Sequence, residues 1–319
     1  MGEPTNLKPV WRRQHVTAVC TALLITFAAA ACGAAGPRAT AAPGAAGQLD
    51  FGGVSRTYTV YIPVGVTHPS ALVVNLHGGG GSGRDEEALT HYDAVADAHG
   101  FVVVYPDGID KNWADGRGAS PPDRNGIDDV GFLVALVGKL VHDYGIDAGH
   151  VFATGISNGA FMANRLACER ADIFAAIAPV AGTLGTNVAC APSRPVAVLA
   201  AHGTTDPIVP FSGGQMHGRG GASTIVAAPT MAARWRELDG CQGDPAQDVL
   251  PDSGDGTRVH RFTAASCANG TAVVFMQIDG GGHTWPDGTQ YLPKAVIGTT
   301  SHVFDSSETT WEFFAGHAR

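Results

Sequence analysis

One serine lies in a context that suits a nucleophile. Residues 155–159 read GISNG, directly after an apolar strand candidate at 151–154 and directly before an amphipathic segment that begins AFM. A sharp strand-to-helix turn with small residues two positions before and after a serine holds its hydroxyl out above a sheet. An ordinary tight turn also uses glycine and serine. The strand before and the helix after favour Ser157 as the nucleophile of an acyl transfer.

A glycine-rich loop follows an earlier strand candidate. Residues 77–83 read HGGGGSG, after the apolar run that ends at Leu76. Acyl transfer creates a negatively charged tetrahedral oxygen, and backbone N–H groups reach it only where no side chain blocks the approach. A phosphate-binding loop would end in Lys-Ser or Lys-Thr, which is absent here. The pattern predicts an oxyanion hole made by the N–H of Gly79 or Gly80 and that of Asn158.

An acid should follow the serine in the chain, after a later strand. Asp206 lies in the segment HGTTDPIVP at 202–210, directly after a strand candidate at 196–200. A solvated aspartate before proline in a turn is the alternative interpretation. The order and the strand-end position favour Asp206 as the carboxylate that orients the catalytic imidazole and stabilises its charged form.

A histidine must complete the set, and the chain has 13 of them. His283 follows the strand candidate 272–278 through the sequence DGGG, and a glycine-rich approach lets a loop bring the imidazole back toward the serine. A neutral imidazole there can take the serine proton and later give it to the leaving alcohol. His77 and His202 are the alternatives, but each precedes a glycine at a position already assigned another task.

Two tryptophans are candidates for the substrate pocket. Trp285 comes two residues after His283, and Trp113 lies in the loop 110–124. Either indole could form an apolar wall for the acyl or alcohol group, although an indole packed in the core is nearly as common.

Alternating segments must position these residues. Several strand candidates are uniformly apolar and do not alternate with polar residues, as expected for strands buried on both faces of a parallel sheet. Helix-like stretches lie between them, which predicts an α/β domain with a mostly parallel central sheet flanked by helices, and with its ligand site outside the carboxyl ends of the strands. The predicted strands are 58–62, 71–76, 101–105, 151–154, 175–180, 196–200 and 272–278, and the predicted helices are 86–99, 128–144, 158–170, 227–238 and 308–316.

The first residues have the pattern of a targeting segment. Basic residues precede an uncharged apolar run at 16–31, which ends in AAACG and is short for a membrane span. We interpret 1–31 as a signal peptide of the lipoprotein type, with Cys32 as the lipidated residue; plain cleavage at a small-residue site is the alternative. Residues 32–48 are mostly Ala, Gly, Pro and Thr and predict a flexible linker, which leaves 49–319 as one catalytic domain.

Four cysteines remain in the predicted domain, and four allow three pairings. Export to an oxidising compartment favours disulfides. The shorter loops favour Cys168 with Cys190 and Cys241 with Cys267. None of them forms a C-x-x-C pair, so a zinc site is not expected.

Charge and motifs exclude other classes. The formal charge is −9, and loss of residues 1–31 would make it −11 because three basic residues and one acidic residue leave. No Lys/Arg cluster remains to neutralise a phosphate backbone, which argues against nucleic acid as a partner. There is no H-E-x-x-H motif and no dinucleotide fingerprint, so we expect neither metal nor cofactor.

The motifs together resemble the polyhydroxybutyrate depolymerase and feruloyl or acetylxylan esterase family of the α/β-hydrolase superfamily, in particular its secreted actinobacterial esterase lipoproteins. They are LHGGG at 76–80, YPDG at 105–108, DDVGF at 128–132, GISNG at 155–159, HGTTD at 202–206 and GGGHTWP at 280–286. The resemblance implies a triad of Ser157, Asp206 and His283, metal-independent hydrolysis through an acyl-enzyme, and a secreted or cell-surface location. Polyhydroxybutyrate-type, feruloyl and acetyl esters all remain open as substrates.

Two other functions are compatible with the same fold. One is a surface lipoprotein that binds a ligand without turnover, which would have no physical reason to keep all three triad positions. The other is a serine peptidase, which would need a cap or extra domain to position a peptide. The one insertion that the sequence suggests is the glycine-rich stretch 212–223.

Overall fold

The structure is a computed structural model that describes residues 1–2 and 44–319. This part of the chain contains twelve strands and eight α-helices. Residues from 44 onward belong to one unit, Ala39–Arg319. The strands are β1 Ala45–Phe51, β2 Val54–Tyr61, β3 Leu72–Leu76, β4 Val102–Pro106, β5 Val151–Ile156, β6 Ala176–Val180, β7 Ala197–Gly203, β8 Gly214–Gly218, β9 Gly221–Ile225, β10 Ala246–Val249, β11 Arg258–Ala264 and β12 Val273–Asp279. The helices are α1 Gly83–Thr90, α2 Tyr92–His99, α3 Pro121–Arg124, α4 Asp129–Tyr144, α5 Asn158–Glu169, α6 Ala228–Leu238, α7 Lys294–Ile297 and α8 Ser306–Ala315.

Ten of these strands form one sheet in the order β1-β2-β4-β3-β5-β6-β7-β12-β11-β10. The six central strands, from β4 to β12 in that order, run parallel, and the antiparallel strands lie at both edges. Every residue of β3 through β7 in the sheet centre is buried, which explains why these strands are mostly apolar. The predicted mostly parallel sheet is confirmed.

Helices cover both faces of this sheet. Successive side chains of a strand point to opposite faces. Accordingly, Val74 of β3 packs in one core with Leu136 of α4, whereas its neighbour Val73 packs in the other with Phe314 of α8. Helices α4, α5 and α6 line the first core, and α2 and α8 line the second. The predicted α/β fold with flanking helices is therefore confirmed.

The seven predicted strands are all present, but the edge strands were not predicted. Strand β1 begins at Ala45 and pairs with β2, with Ala45 opposite Val60. The predicted linker 32–48 is therefore too long by its last four residues. A composition argument counts side-chain burial, whereas an edge strand is held by backbone hydrogen bonds. The remaining linker, the predicted signal peptide and Cys32 lie outside the described residues. Within residues 44–319 no helix has the length and apolar character to cross a bilayer.

The predicted helix 86–99 is divided in two. His91 has φ 52° and ψ 28°, which ends α1 and begins α2. Its own N–H still donates to the carbonyl of Glu87 at 3.2 Å. Because no Gly or Pro marks the position, the sequence offers no signal for this break.

Both favoured cysteine pairs are bonded. Cys168 at the end of α5 is joined to Cys190 in the loop between β6 and β7. Cys241 after α6 is joined to Cys267 after β11. The pairing that the shorter loops favoured is thus present. One bond joins the end of α5 to the loop after β6, and the other joins the segment after α6 to the segment after β11.

Candidate active site

Ser157 joins β5 to α5 in a strained turn. Its φ of 56° and ψ of −119° are a combination that L-residues rarely adopt. Its N–H donates to the carbonyl of Val180 at 3.0 Å, so β6 holds the turn in place. A Cβ atom on Gly155 or Gly159 would clash with the carbonyl oxygen of Leu76 at the end of β3. The two glycines let the turn pack against β3 while the serine points outward.

Asp206 and His283 are in direct contact. Nδ1 of His283 lies 2.8 Å from Oδ2 of Asp206, and both side chains are buried. The other oxygen, Oδ1, accepts the N–H groups of Ile208 and Val209 at 2.8 Å each. These bonds fix the carboxylate. Because it accepts a hydrogen bond from Nδ1–H, the imidazole is held in the tautomer whose Nε2 can accept a proton.

Ser157 and His283 line one cavity of about 340 Å³. In the described part of the chain, neither the serine hydroxyl nor Nε2 of His283 is engaged in a hydrogen bond. Both are thus available to substrate, and contacts of this kind often shorten only when substrate is bound. The arrangement places a hydroxyl, an imidazole and a fixed carboxylate beside one cavity, and these are the groups that an acyl transfer requires.

The two alternative histidines have structural roles. His77 accepts the N–H of Gly108 on Nε2 at 3.0 Å and donates from Nδ1 to the carbonyl of Gly78 at 2.8 Å. His202 donates from Nε2 to the carbonyl of Val209 at 2.9 Å. Burial lowers the pKa of both imidazoles, which favours their neutral forms. The ring of His77 thus joins the glycine loop to Gly108, and the ring of His202 joins the end of β7 to the loop that follows it.

The structure narrows the predicted oxyanion hole. The N–H of Gly80 donates to the carbonyl of Lys111 at 2.7 Å, so the prediction that it could serve the oxyanion is wrong. Within residues 44–319 the N–H of Gly79 has no such acceptor. A Cβ atom on Gly79 would lie 3.7 Å from Cβ of Asn158 and 3.1 Å from Oδ1 of Asn112. Gly79 and Asn158 are thus adjacent, and their N–H groups remain as the candidate pair.

A second loop, residues 107–113, holds the glycine loop in place. The N–H of Gly108 donates to His77, and the carbonyl of Lys111 accepts from Gly80. In addition, Asp107 accepts the N–H of Gly83 at 2.8 Å and the hydroxyl of Thr57 at 2.6 Å. The sequence indicates the motif YPDG at 105–108 but predicts no role for it. The loop 107–113 follows β4, and the glycine loop follows β3. Because β3 and β4 are parallel neighbours, both loops lie at the same edge of the sheet.

The side chain of Asn158 has a structural role of its own. Its Oδ1 accepts the N–H of Trp113 at 2.7 Å, and its Nδ2 donates to Oδ2 of Asp115 at 2.6 Å. Asp115 also forms a buried ion pair with Arg117 at 2.6 Å. The guanidinium of Arg117 lies 3.6 Å above the ring of Phe161. This network fixes the start of α5, where the candidate oxyanion N–H of Asn158 lies.

Neither tryptophan forms the pocket wall, and this part of the prediction is wrong. Trp113 is fully buried and donates from Nε1 to the carbonyl of His77 at 3.0 Å. Trp285 is also buried and donates to Oγ of Ser307 at 3.0 Å. Each indole found both an apolar site and a hydrogen-bond acceptor in the core, which is the usual requirement for burying tryptophan.

Other residues line the cavity instead. One wall consists of α1 and the loop after His283, with Glu86, Leu89, Tyr291 and Leu292. Another part of the lining comes from the β8–β9 hairpin, which contains most of the glycine-rich stretch 212–223. The sequence analysis singled out the stretch 212–223 as an insertion, but Glu86, Leu89, Tyr291 and Leu292 belong to no motif and were not predicted. Within residues 44–319 no group of three or more His, Cys, Asp or Glu side chains is placed to hold a metal ion.

The known proteins to which this chain is similar are described as esterases. A family model described as "Esterase PHB depolymerase" matches residues 56–213. The chain is 34% identical over 290 residues to "Putative esterase NocK" of Nocardia uniformis subsp. tsuyamanensis, a match that covers 84% of this chain and 82% of the relative. It is 30% identical over 266 residues to "Feruloyl esterase C" of Emericella nidulans, covering 81% and 83% of the two chains.

A solved structure has the same architecture. The acetyl xylan esterase from Aspergillus awamori superimposes with a TM-score of 0.56 over 86% of this chain and 100% of that one. The two sequences are 17% identical, so this similarity concerns the fold.

Proposed function

Because this chain belongs to the PHB depolymerase family of esterases, we propose that it hydrolyses carboxylic esters through an acyl-enzyme on Ser157. The family resemblance of its motifs is confirmed, and the comparisons favour an esterase over a peptidase or a binding protein without turnover. The observation that carries the mechanism is the 2.8 Å contact between His283 and Asp206 in a site that also exposes Ser157.

The proposed reaction has two halves. His283 takes the hydroxyl proton at Nε2 while Oγ of Ser157 attacks the ester carbonyl carbon. The N–H groups of Gly79 and Asn158 stabilise the resulting oxyanion. The carbon–oxygen bond to the alcohol then breaks, and the imidazolium returns the proton to the leaving alcohol. Water, which gives a proton to Nε2 of His283, then attacks the carbonyl carbon of the acyl-enzyme. The bond from that carbon to Oγ of Ser157 breaks, the imidazolium returns its proton to Oγ, and the acid is released.

The proposed substrates are esters with a polyhydroxybutyrate-type, feruloyl or acetyl group. Names of the relatives support this range, since they include feruloyl and acetylxylan esterases. The cavity volume of about 340 Å³ is near the lower end of ligand pockets, which span roughly 300–1,000 Å³. A cavity of this size supports binding of one acyl group and its near surroundings, either from a small ester or from a chain end.

A phosphonate ester with a good leaving group tests the nucleophile directly. It should phosphonylate Ser157, because phosphorus accepts the activated oxygen as a carbonyl carbon does. Peptide mass spectrometry should find the added mass on the peptide that contains residue 157. The Ser157→Ala variant is the control and should remain unmodified. Absence of labelling, or a label on another residue, would contradict the proposal.

We also propose that the protein is exported and anchored through a lipid on Cys32. The basic start, the apolar run and the following cysteine support export, and the two disulfides support an oxidising compartment. In cell fractionation, Cys32→Ala should move the protein from the membrane fraction to the soluble or secreted fraction. Cys20→Ala, which changes a cysteine inside the apolar run, should leave it on the membrane. Equal membrane retention of all three proteins would refute lipidation at Cys32.

A further inference from the structure

An arginine side chain lies across the glycine loop at the cavity. Arg219 is at the turn of the β8–β9 hairpin and belongs to the cavity lining. A Cβ atom on Gly80 would lie 2.6 Å from Nη1 and 2.8 Å from Cδ of Arg219. A Cβ atom on Gly79 would lie 4.0 Å from Cβ of Arg219. The arginine therefore passes beside Gly79, whose N–H is a candidate donor to the oxyanion, and its guanidinium lies over Gly80.

The guanidinium of Arg219 has no protein partner in the described part of the chain. Among residues 44–319 it forms no ion pair and donates no hydrogen bond. The residue is exposed, so its five N–H donors are open to water or to a ligand. Arg117, which also lines the cavity, is instead buried and paired with Asp115 at 2.6 Å. Of these two arginines, Arg219 keeps its charge and its donors for a ligand.

The acidic residues of the cavity lining leave this charge in place. Burial, and to a smaller extent Asp85, raise the pKa of Glu86 well above its ordinary range, which favours the neutral acid. Asp85 accepts the hydroxyl of Ser82 at 2.7 Å and forms no ion pair with Arg219 in the described part of the chain. Burial raises the pKa of Tyr291, and the charge of Arg219 acts in the opposite direction. Because Tyr291 also lines the cavity, the positive charge acts inside it.

The distance from the nucleophile to this guanidinium is short. A Cβ atom on Gly78 would lie 3.4 Å from Cβ of Ser157, so the glycine loop starts beside the nucleophile. Gly80 follows two residues later, and two residues of extended chain span at most about 7 Å. A chain of about five carbon–carbon bonds covers a similar length. A group at that distance from the ester carbonyl can therefore reach Arg219.

We propose that Arg219 is a specificity-determining residue that binds a carboxylate of the substrate, so that the protein prefers esters with a carboxylate a few bonds from the ester group. This inference rests on the proposed esterase function. A guanidinium presents its donors in a fork that matches the two oxygens of a carboxylate. The stem of Arg219 packs against the glycine loop, which reduces the side-chain freedom that binding would remove.

Two matched pairs of esters test this assignment, one for each side of the ester bond. The acyl pair is the mono-4-nitrophenyl ester of adipic acid and the 4-nitrophenyl ester of adipic acid monoamide. The alcohol pair is 3-(butyryloxy)benzoate and 3-(butyryloxy)benzamide. Within a pair the charge changes while the size hardly does. The native enzyme should prefer the carboxylate in at least one pair by about fivefold in kcat/KM, the upper range for an exposed ion pair.

The variants separate the charge of Arg219 from other effects, because the ratio within a pair cancels a general loss of activity. Arg219→Gln removes the charge and should abolish the preference, whereas Arg219→Lys keeps the charge without the fork and should retain part of it. In the native enzyme the preference should decrease at about 1 M salt, where the Debye length is about 3 Å. Arg194→Gln is the matched control, since Arg194 is exposed but does not line the cavity. It should keep the native ratio.

A preference in only one pair supports the assignment and identifies the side of the ester bond on which the carboxylate lies. Equal kcat/KM values within both pairs in the native enzyme would overturn the assignment and leave the esterase function intact. A preference that persists in Arg219→Gln would do the same. Absence of Ser157-dependent turnover of all four esters would instead overturn the esterase function, and the assignment with it.

Discussion

Replacing Ser157 with alanine is expected to lower kcat on any ester substrate by about 10⁶-fold, because the acyl-enzyme can no longer form. The backbone of the turn should persist. Its φ of 56° and ψ of −119° are as strained for alanine as for serine, and the hydrogen bond from its N–H to Val180 does not involve the side chain. Steady-state kinetics with p-nitrophenyl butyrate gives the measurement, and residual turnover would come from the oxyanion hole and from binding.

Ser157→Gly separates loss of the hydroxyl from loss of structure. It should be as inactive as the alanine variant, yet more stable by about 1 kcal/mol, because glycine relieves the strain at positive φ. Urea unfolding of both variants checks this difference. If Ser157→Ala kept more than about a tenth of the native kcat, a drop far smaller than this mechanism requires, the nucleophile would have to be another residue.

The second large effect is expected for Asp206→Asn, which should lower kcat by about 10⁴-fold with little change in KM. The asparagine can still accept the N–H groups of Ile208 and Val209 through Oδ1, so the loop is preserved. Its amide group would then face Nδ1 of His283 in place of the carboxylate oxygen. An amide donor at Nδ1 favours the tautomer with the proton on Nε2, which cannot accept the proton of Ser157.

A second aspartate–histidine pair offers the matched control. Oδ1 of Asp287 lies 2.9 Å from Nδ1 of His302, and both side chains are about half exposed. Neither residue lines the cavity. Asp287→Asn makes the same chemical change, and asparagine tolerates the φ of 59° at this position. We expect native kinetics from this variant. Similar losses in both variants would mean that Asp206 contributes through stability alone.

Local patterns determined the central sheet and the order of the site residues. Mostly apolar segments marked β3 to β7 and β12, since strands buried on both faces of a parallel sheet favour apolar side chains. Ser157, Asp206 and His283 follow β5, β7 and β12, and in a parallel sheet these carboxyl ends meet at one edge. Such residues could therefore be predicted without knowledge of any contact.

The edge strands and the break between α1 and α2 could not be predicted from local sequence patterns. Strands β1 and β10 are largely exposed, so their sequences have no apolar signature, and they exist because neighbouring strands offer backbone partners. The break at His91 between α1 and α2 likewise has no Gly or Pro to mark it. Here tertiary packing overrides local preference.

The sequence by itself determined the candidates for the chemistry: a serine in an elbow, an acid and a histidine in the required order, and a glycine loop. It also favoured the two disulfide pairs that the structure contains. Only the tertiary structure decided which groups are free to act. It committed the N–H of Gly80 to the carbonyl of Lys111, placed Trp113 and Trp285 in the core, and left the N–H of Gly79 without such an acceptor among residues 44–319. The reason is physical. A residue's type and spacing are local, whereas whether its hydrogen-bonding groups are satisfied depends on segments distant in the chain.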